Sequence, residues 1–154
     1  MQTTRERAVV RELMIEAAPE TVWGFLVDPD KALRWMGVAI RVSDRAGDEF
    51  RCEVIPGHIA VGEVKEVEPF RRLVLSWGWQ PPTEGPAPLV GPGTSTVVFE
   101  LEPTGTGTML RFAHCDLPTE ETVASHATGW DHYLPRLEVA AAGGDPGRDE
   151  WLDS

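Results

Sequence analysis

The chain contains few cysteines and no long apolar run. Its two cysteines, Cys52 and Cys115, lie far apart in strand-like segments. We therefore expect two buried free thiols rather than a disulfide framework or a zinc site. No segment approaches the roughly 20 apolar residues of a membrane-spanning helix, and the N-terminal sequence lacks the apolar stretch of a signal peptide. These absences predict a cytoplasmic protein that does not insert into membranes.

Positive charge is also scarce. The chain has 14 Lys and Arg residues against 25 Asp and Glu residues, so its formal net charge is −11 at pH 7. No run of Lys or Arg gathers the cations into a patch. Because phosphate groups and anionic lipid headgroups repel such a surface, we expect neither a nucleic acid nor a membrane as partner.

The motifs of several common catalytic and metal sites are missing. The sequence contains no GxSxG nucleophile turn, no HxxxH or CxxC spacing and no glycine-rich phosphate loop after a strand. We therefore predict no bound metal and no cofactor. The sequence by itself establishes no reaction.

Enough apolar residues are present for one globular domain. Hydrophobic residues make up 42% of the 154 positions and charged residues 25%, which is typical of an ordered chain with a single core. We predict one domain over residues 1–144. The remaining segment, 145–154, contains three Asp residues and is expected to be a flexible C-terminal tail.

Period-two alternation dominates the middle of the chain and indicates antiparallel strands. A first strand is followed by two short helices, one beginning at Pro19 and one at Pro29 with Asp28 as its N-cap. The predicted strands cover about residues 8–17, 38–42, 50–54, 58–68, 72–79, 95–103 and 107–115. This order of elements predicts an α+β fold.

One long amphipathic helix follows the strands. Thr119 is its expected N-cap, and apolar residues recur at helical spacing around Trp130 as far as about Ala142. Gly143 and Gly144 should end it. An antiparallel sheet that curls around such a helix tends to enclose a cavity, which is a suitable place for a ligand.

The loop of residues 80–94 carries five prolines and three glycines. This composition cannot continue a strand ladder, and the segment is long for a hairpin connection. We interpret it as a semi-rigid flap, which either gates a pocket or is simply a mobile connection.

Aromatic residues supply the inner faces that we assign to the strands and the long helix. Trp77 and Trp79 share one face of a strand, and the helix contributes Trp130. A few polar residues lie on the same surfaces, as in many ligand pockets. The alternative is that these rings only fill the core. The predicted pocket residues are Trp35 near the mouth, Trp77, Trp79, Ser95, Phe99, Phe112, His114, His126 and Trp130.

The histidines are the candidates for acid–base chemistry. His114 and His126 could orient a ligand or move a proton, because the pKa of an imidazole lies near neutral pH. His126 and Trp130 are four residues apart and share a helix face. His58 begins a strand, whereas His132 is expected to face the solvent. A lone histidine is more often structural than catalytic.

Several segments, taken in order, resemble those of the AHSA1-like proteins. These are LMIEAAPETVWGFLVDP, ALRWMG, GEVKEVEPFRRLVLSW, GTMLRFAHCDLP and GWDHYLPRL. AHSA1-like proteins are relatives of the activator of heat-shock protein 90 ATPase, within the START-like or birch-pollen-allergen-like SRPBCC superfamily. The resemblance covers nearly the whole chain. It implies a helix-grip fold, in which a curved antiparallel sheet wraps around the C-terminal helix and leaves a hydrophobic tunnel between them.

The resemblance implies three classes of function, because a fold alone does not fix one. We favour binding of a small hydrophobic or aromatic molecule over catalysis. The second class is a cyclase, dehydratase or hydrolase that uses the same cavity. The third is a regulator of heat-shock protein 90. The known activators carry an additional N-terminal domain, and this chain begins almost at its first strand, so a chaperone partner is not expected. A homodimer is compatible with the sequence.

Overall fold

The computed structural model describes residues 7–153. It confirms the α+β class, with seven strands in one antiparallel sheet and a long helix after the last strand. The elements are β1 (Val9–Ile15), α1 (Pro19–Val27), α2 (Pro29–Ala32), β2 (Ala39–Arg41), β3 (Glu49–Ile55), β4 (His58–Glu68), β5 (Arg72–Trp77), β6 (Ser95–Thr104), β7 (Gly107–Cys115) and α3 (Glu120–Ala141). A short 3-10 helix, Glu150–Asp153, follows.

The strands are arranged in the order β1-β7-β6-β5-β4-β3-β2. The chain therefore runs as a meander from β2 to β7, and β1 then pairs with β7 at the opposite edge. Alternation along β6 buries Ser95, Val97, Phe99 and Leu101 on one face, as the sequence predicts. Buried residues of this face and of α3 belong to one hydrophobic core.

Strand β4 changes its neighbour half-way along. Its first half pairs with β3 through Glu63, and its second half pairs with β5 from Val64 onward, with a register shift between Val64 and Glu66. The prediction that β5 continues to residue 79 was wrong by two residues. The ladder ends at Trp77, and Trp79 makes only an isolated bridge to Ala60. This bridge places the second tryptophan beside the start of β4.

Local sequence signals place the helices. The Asp28 side chain accepts a hydrogen bond from the backbone N–H of Asp30 at 3.0 Å, as an N-cap of α2. At the start of α3, Thr119 and Thr122 form a reciprocal capping box. Gly143 follows the helix with φ of +94°, a left-handed conformation that suits glycine at this position. The predicted bounds of α3 are thus confirmed to within one residue.

Candidate functional site

A cavity of about 300 Å³ lies between the sheet and α3. Buried residues form its inner wall, among them Met36, Val54, Trp77, Trp130 and Tyr133. Its remaining wall is formed by half-buried and exposed residues, namely Ile55, His58, Trp79, Ser125, His126, Thr128, Gly129 and Trp151. Among the residues that the structure describes, no Asp, Glu, Lys or Arg lines it. The cavity is therefore an uncharged, largely aromatic space.

Trp77 is the centre of the aromatic cluster around this cavity. Its ring centroid lies 5.3 Å from that of Trp130, 5.5 Å from Trp79 and 5.6 Å from His114. On another side it stacks on Phe50 at 5.6 Å. Such contacts add about 0.5–1.5 kcal/mol per pair beyond the burial of area. The cluster therefore holds the inner wall in one arrangement before any ligand enters.

His114 is fixed from both ring nitrogens. The indole N–H of Trp130 donates to His114 Nδ1 at 3.0 Å. An indole nitrogen can only donate, so Nδ1 carries no proton and the neutral ring carries its proton on Nε2. That N–H then donates to Ser95 Oγ at 2.8 Å, and Ser95 Oγ donates to the Trp77 carbonyl at 2.7 Å. Burial and the neighbouring His126 lower the pKa of His114 to about 3.

His126 forms a second pair of the same kind with the opposite tautomer. The indole N–H of Trp79 donates to His126 Nε2 at 3.0 Å. The proton therefore lies on Nδ1, which donates to the Thr122 carbonyl at 2.7 Å. Burial lowers the pKa of His126, although the hydrogen bond to Thr122 acts in the other direction. Both histidines are thus neutral hydrogen-bonded supports of tryptophan side chains.

The indole N–H of Trp77 differs from those of Trp79 and Trp130. Within residues 7–153, Trp77 Nε1 is the only buried side-chain nitrogen or oxygen that has no hydrogen-bond partner. Trp77 is only 3% exposed. An unpaired buried donor costs about 1–3 kcal/mol. Neighbouring side chains also cover this nitrogen, so an acceptor in the cavity can pair with it only after the wall around Trp77 shifts.

The structure separates the nine predicted pocket residues into three groups. Trp77, Trp79, His126 and Trp130 line the cavity. Trp35 and Phe99 instead line a separate void of about 20 Å³, which Trp77 and Trp130 also border. Trp35 donates to the Phe25 carbonyl at 2.8 Å and does not reach the mouth of the cavity. Ser95, Phe112 and His114 are buried behind the wall, where they support Trp77 and Trp130.

The loop of residues 80–94 is attached beside the cavity at both of its ends. At its first end, the Gln80 N–H donates to the Ile59 carbonyl at 2.8 Å. At its other end, the Val90 carbonyl accepts from the Trp79 N–H at 2.8 Å, and the Gly93 N–H donates to the Val61 carbonyl at 3.2 Å. Between these ends, the loop borders a groove that shares His58 and Trp79 with the cavity. The loop is therefore positioned next to the mouth, and gating stays a prediction.

Sequence reasoning missed several residues of the wall. Met36, Val54, Tyr133 and Trp151 line the cavity but were not among the candidates. Tyr133 lies three residues after Trp130 in α3, and this helical spacing could have identified it. Trp151 carries no such signal, because its segment resembles a loop in composition. The prediction that His132 faces the solvent was wrong, because the segment with Trp151 covers it.

Comparison with known families decides the affiliation of the chain. Residues 16–142 match the family model described as Activator of Hsp90 ATPase homolog 1-like protein. The chain belongs to this AHSA1-like family. The predicted resemblance is thereby confirmed, and the match covers strands β2 to β7 and all of α3. The short segment that carries Trp151 lies outside the matched region.

Solved structures with the AHSA1-like fold include proteins from different bacteria. The AHSA1-like protein RHE_CH02687 from Rhizobium etli is 41% identical, with 92% of this chain and 86% of that chain covered and a TM-score of 0.71. DynU16, from the dynemicin biosynthetic locus, is 26% identical over 93% of this chain and 50% of its own, with a TM-score of 0.76. The Aha1 dimer from Colwellia psychrerythraea is 21% identical over 89% of this chain and 97% of its own, with a TM-score of 0.74. A search of the curated proteins finds no significant match.

The AHSA1-like fold supports a role in ligand binding or in chemistry of the polyketide cyclase type in general. None of the helices between residues 7 and 153 is long and apolar enough to cross a membrane.

Proposed function

We propose that this AHSA1-like protein binds a small, uncharged, hydrophobic or aromatic molecule in the cavity between the sheet and α3. The observation that carries the proposal is the cavity itself, with a volume of about 300 Å³ and a wall of aromatic side chains. This volume lies at the lower end of the range for small-molecule sites, about 300–1,000 Å³. A molecule of two or three fused or linked rings is the expected size.

The lining also supports a particular ligand chemistry. A charged group would lose its hydration in this cavity and find no counter-charge among the described lining residues, so the ligand is neutral where it is buried. We infer that a small shift of the wall lets the unpaired indole N–H of Trp77 donate to one hydrogen-bond acceptor of the ligand, such as a carbonyl or ether oxygen. Further polar substituents would remain near the exposed residues His58, Ser125 and Thr128.

The hydrogen bonding of the histidines favours binding over catalysis. Both ring nitrogens of His114 and both of His126 are already engaged. A general acid or base must reach the proton that it transfers, and here each nitrogen faces a tryptophan, a serine or a backbone carbonyl. An enzyme of the cyclase type is the alternative, and DynU16 shows that a similar fold is encoded in a biosynthetic locus. Dimerisation and a cytoplasmic location stay predictions.

Gly129 allows a direct test of the proposal. It lines the cavity from α3, and a Cβ atom at this position would have open space within 4 Å. We expect the neutral fluorophore N-phenyl-1-naphthylamine to bind the protein with increased fluorescence and one site per chain. Gly129→Leu should fill the cavity and abolish this binding. Ala124→Leu adds the same side chain at an exposed position of α3 and is the matched control.

Three outcomes of the titration are informative. Loss of binding in Gly129→Leu, with a retained site in Ala124→Leu, supports the proposal. Equal binding by both variants and the wild type places the fluorophore elsewhere and contradicts it. Absence of binding to the wild type also counts against the cavity as a binding site. Thermal unfolding of each variant verifies that the fold is intact.

A further inference from the structure

The segment that follows α3 forms part of the cavity wall. After Gly143 and Gly144, the chain folds back along α3 and ends in the 3-10 helix Glu150–Asp153. Trp151 of this helix lines the cavity, and its side chain packs against the hydrophobic core. The segment of residues 145–153, called here the closing segment, is thus in contact with the proposed ligand site.

A buried carboxylate attaches the closing segment to α3. Asp149 is 7% exposed and accepts hydrogen bonds from Tyr133 Oη at 2.8 Å, His132 Nε2 at 2.8 Å and the Trp151 backbone N–H at 3.0 Å. Burial would by itself raise the pKa of Asp149, but these hydrogen bonds together lower it. The carboxylate is therefore the ionised acceptor at the centre of this cluster.

The same cluster fixes the rings of the wall. The indole of Trp151 stacks on the imidazole of His132 with a centroid distance of 3.8 Å and an interplanar angle of 5°. Its edge meets Tyr133 at 5.7 Å. Tyr133 and Trp151 both line the cavity, so one carboxylate holds two adjacent wall residues in place.

A second attachment lies at the start of the closing segment. The guanidinium of Arg136 donates to the carbonyls of Pro146 and Gly147 at 3.2 and 3.0 Å, and also to the Trp35 carbonyl at 3.1 Å. The segment is therefore held at both ends, and its position relative to α3 is defined by side chains of α3 itself.

We propose that Trp151 is a specificity-determining residue, which contacts the bound molecule and limits its length, and that Asp149 positions it. This inference rests on the proposed binding function. The family match ends at residue 142, so this wall is supplied from outside the common domain. The other lining residues, from Met36 to Tyr133, lie inside the matched region. Differences in the closing segment would then tune ligand size on a common fold.

Two neutral fluorophores of different length test the role of Trp151. N-phenyl-1-naphthylamine is compact, whereas 1,6-diphenyl-1,3,5-hexatriene is a long rod. Replacing Trp151 by Ala removes one wall, so the ratio of affinities should change by at least about tenfold in favour of the rod, equivalent to roughly 1.4 kcal/mol. Trp151→Phe keeps a ring in the wall and should change this ratio less. If the Ala variant does not fold, the Phe variant carries the test with a smaller shift of the same sign.

A matched pair of variants tests the role of Asp149. Asp149→Asn removes the charge of the buried acceptor and should shift the affinity ratio in the direction of Trp151→Ala. Asp153→Asn makes the same chemical change in the same segment, at an exposed side chain paired with Arg148, and should leave the ratio unchanged. An unaltered ratio in Asp149→Asn would show that the carboxylate does not position the wall.

A spectroscopic readout separates this inference from the proposed function. The protein labelled with 5-fluorotryptophan has one fluorine resonance for each of its six tryptophans, and Trp151→Phe assigns that of Trp151. Each fluorophore should shift the resonances of Trp77, Trp130 and Trp151. Shifts at Trp77 and Trp130 without one at Trp151, together with an unchanged affinity ratio in Trp151→Ala, would overturn the inference and leave the binding function intact. No binding of either fluorophore by the wild type would overturn both.

Discussion

The indole N–H of Trp130 donates to Nδ1 of His114 across 3.0 Å, between α3 and β7. This single bond defines the tautomer of a fully buried histidine and connects the helix to the sheet behind the cavity. A proton added to Nδ1 would face the indole N–H, and two donors cannot pair. The histidine must therefore remain neutral as long as the helix stays in place.

Stability should consequently fall in mild acid. The pKa of His114 is lowered from its ordinary value of 6.5 to about 3, and that of His126 is lowered as well. Between pH 6.5 and about pH 3, His114 binds more protons in the unfolded chain than in the folded protein. The free energy of unfolding therefore decreases as the pH falls from about 6.5. One such group contributes a slope of up to about 1.4 kcal/mol per pH unit. Urea denaturation at several pH values measures this slope.

A substitution separates His114 from the other titrating groups. His114→Gln retains an acceptor for Trp130 and a donor for Ser95 but cannot titrate, so the slope should become shallower. His58→Gln, at an exposed position, is the control and should keep the slope of the wild type. An equal slope in wild type and His114→Gln would show that His114 is not responsible.

Removal of the Ser95 hydroxyl should destabilise the protein without altering its surface. Ser95 accepts from His114 Nε2 and donates to the Trp77 carbonyl, so Ser95→Ala leaves a buried N–H unpaired. The expected loss is about 1–3 kcal/mol in the free energy of unfolding. Ser125→Ala, at an exposed serine of α3, should lower the free energy of unfolding by a smaller amount. A negligible loss in Ser95→Ala would contradict the hydrogen-bond chain that we describe.

The sequence allowed much of this architecture to be predicted. Alternation and turn residues located β4 and β7 with their observed bounds, and Thr119 marked the start of α3. The inner face of β6 was also predicted, because residues of period two on a half-buried strand share one side. Local patterns of this kind depend only on neighbouring residues.

Contacts between distant segments could not be predicted in the same way. The pair of Trp79 and His126 joins residues 47 positions apart, and its geometry depends on the end of β5 at Trp77. The closing segment has a loop-like composition, and it packs because Trp151 meets the hydrophobic core and because Tyr133, His132 and Arg136 present partners on α3. Trp35 lies away from the predicted mouth because its indole N–H donates to the Phe25 carbonyl of α1, a contact that no local pattern indicates.

Trp77→Phe should weaken binding of ligands that carry an acceptor. The variant keeps a ring in the wall but removes the unpaired N–H. We expect 2-acetylnaphthalene to bind the wild type more tightly than 2-ethylnaphthalene, and this preference to fall about tenfold in the variant, in line with the value of a buried hydrogen bond. Competition with N-phenyl-1-naphthylamine measures both affinities. An equal preference in wild type and variant would show that this N–H does not contact the ligand.

Gly78 should be required for the attachment of the loop beside the cavity. A Cβ atom at this position would lie 1.6 Å from the Gly91 carbonyl oxygen and 2.8 Å from Cα of Pro92. Gly78→Ala must therefore displace the loop, with an expected cost of about 2–3 kcal/mol. Hydrogen exchange should accelerate at the amides of Trp79 and Gly93, whose acceptors are carbonyls across this contact. Gly91→Ala, which has room for a methyl group, is the control and should leave both amides protected.

Replacing Gly129 by alanine should stabilise the protein and weaken ligand binding. Glycine inside a helix is about 1 kcal/mol less favourable than alanine, and no atom lies within 4 Å of a Cβ built at this position. Gly129→Ala should therefore raise the melting temperature by about 2–4 °C. The added methyl group would enter the cavity that Gly129 lines, so the affinity for N-phenyl-1-naphthylamine should fall. Calorimetry and fluorescence titration of one sample measure both effects. Gly105→Ala, in the turn between β6 and β7, should neither raise the melting temperature nor lower the affinity, since its φ of +53° is unfavourable for alanine and it lies outside the cavity lining. A more stable Gly129→Ala protein with undiminished affinity would mean that the ligand does not approach α3 at this residue.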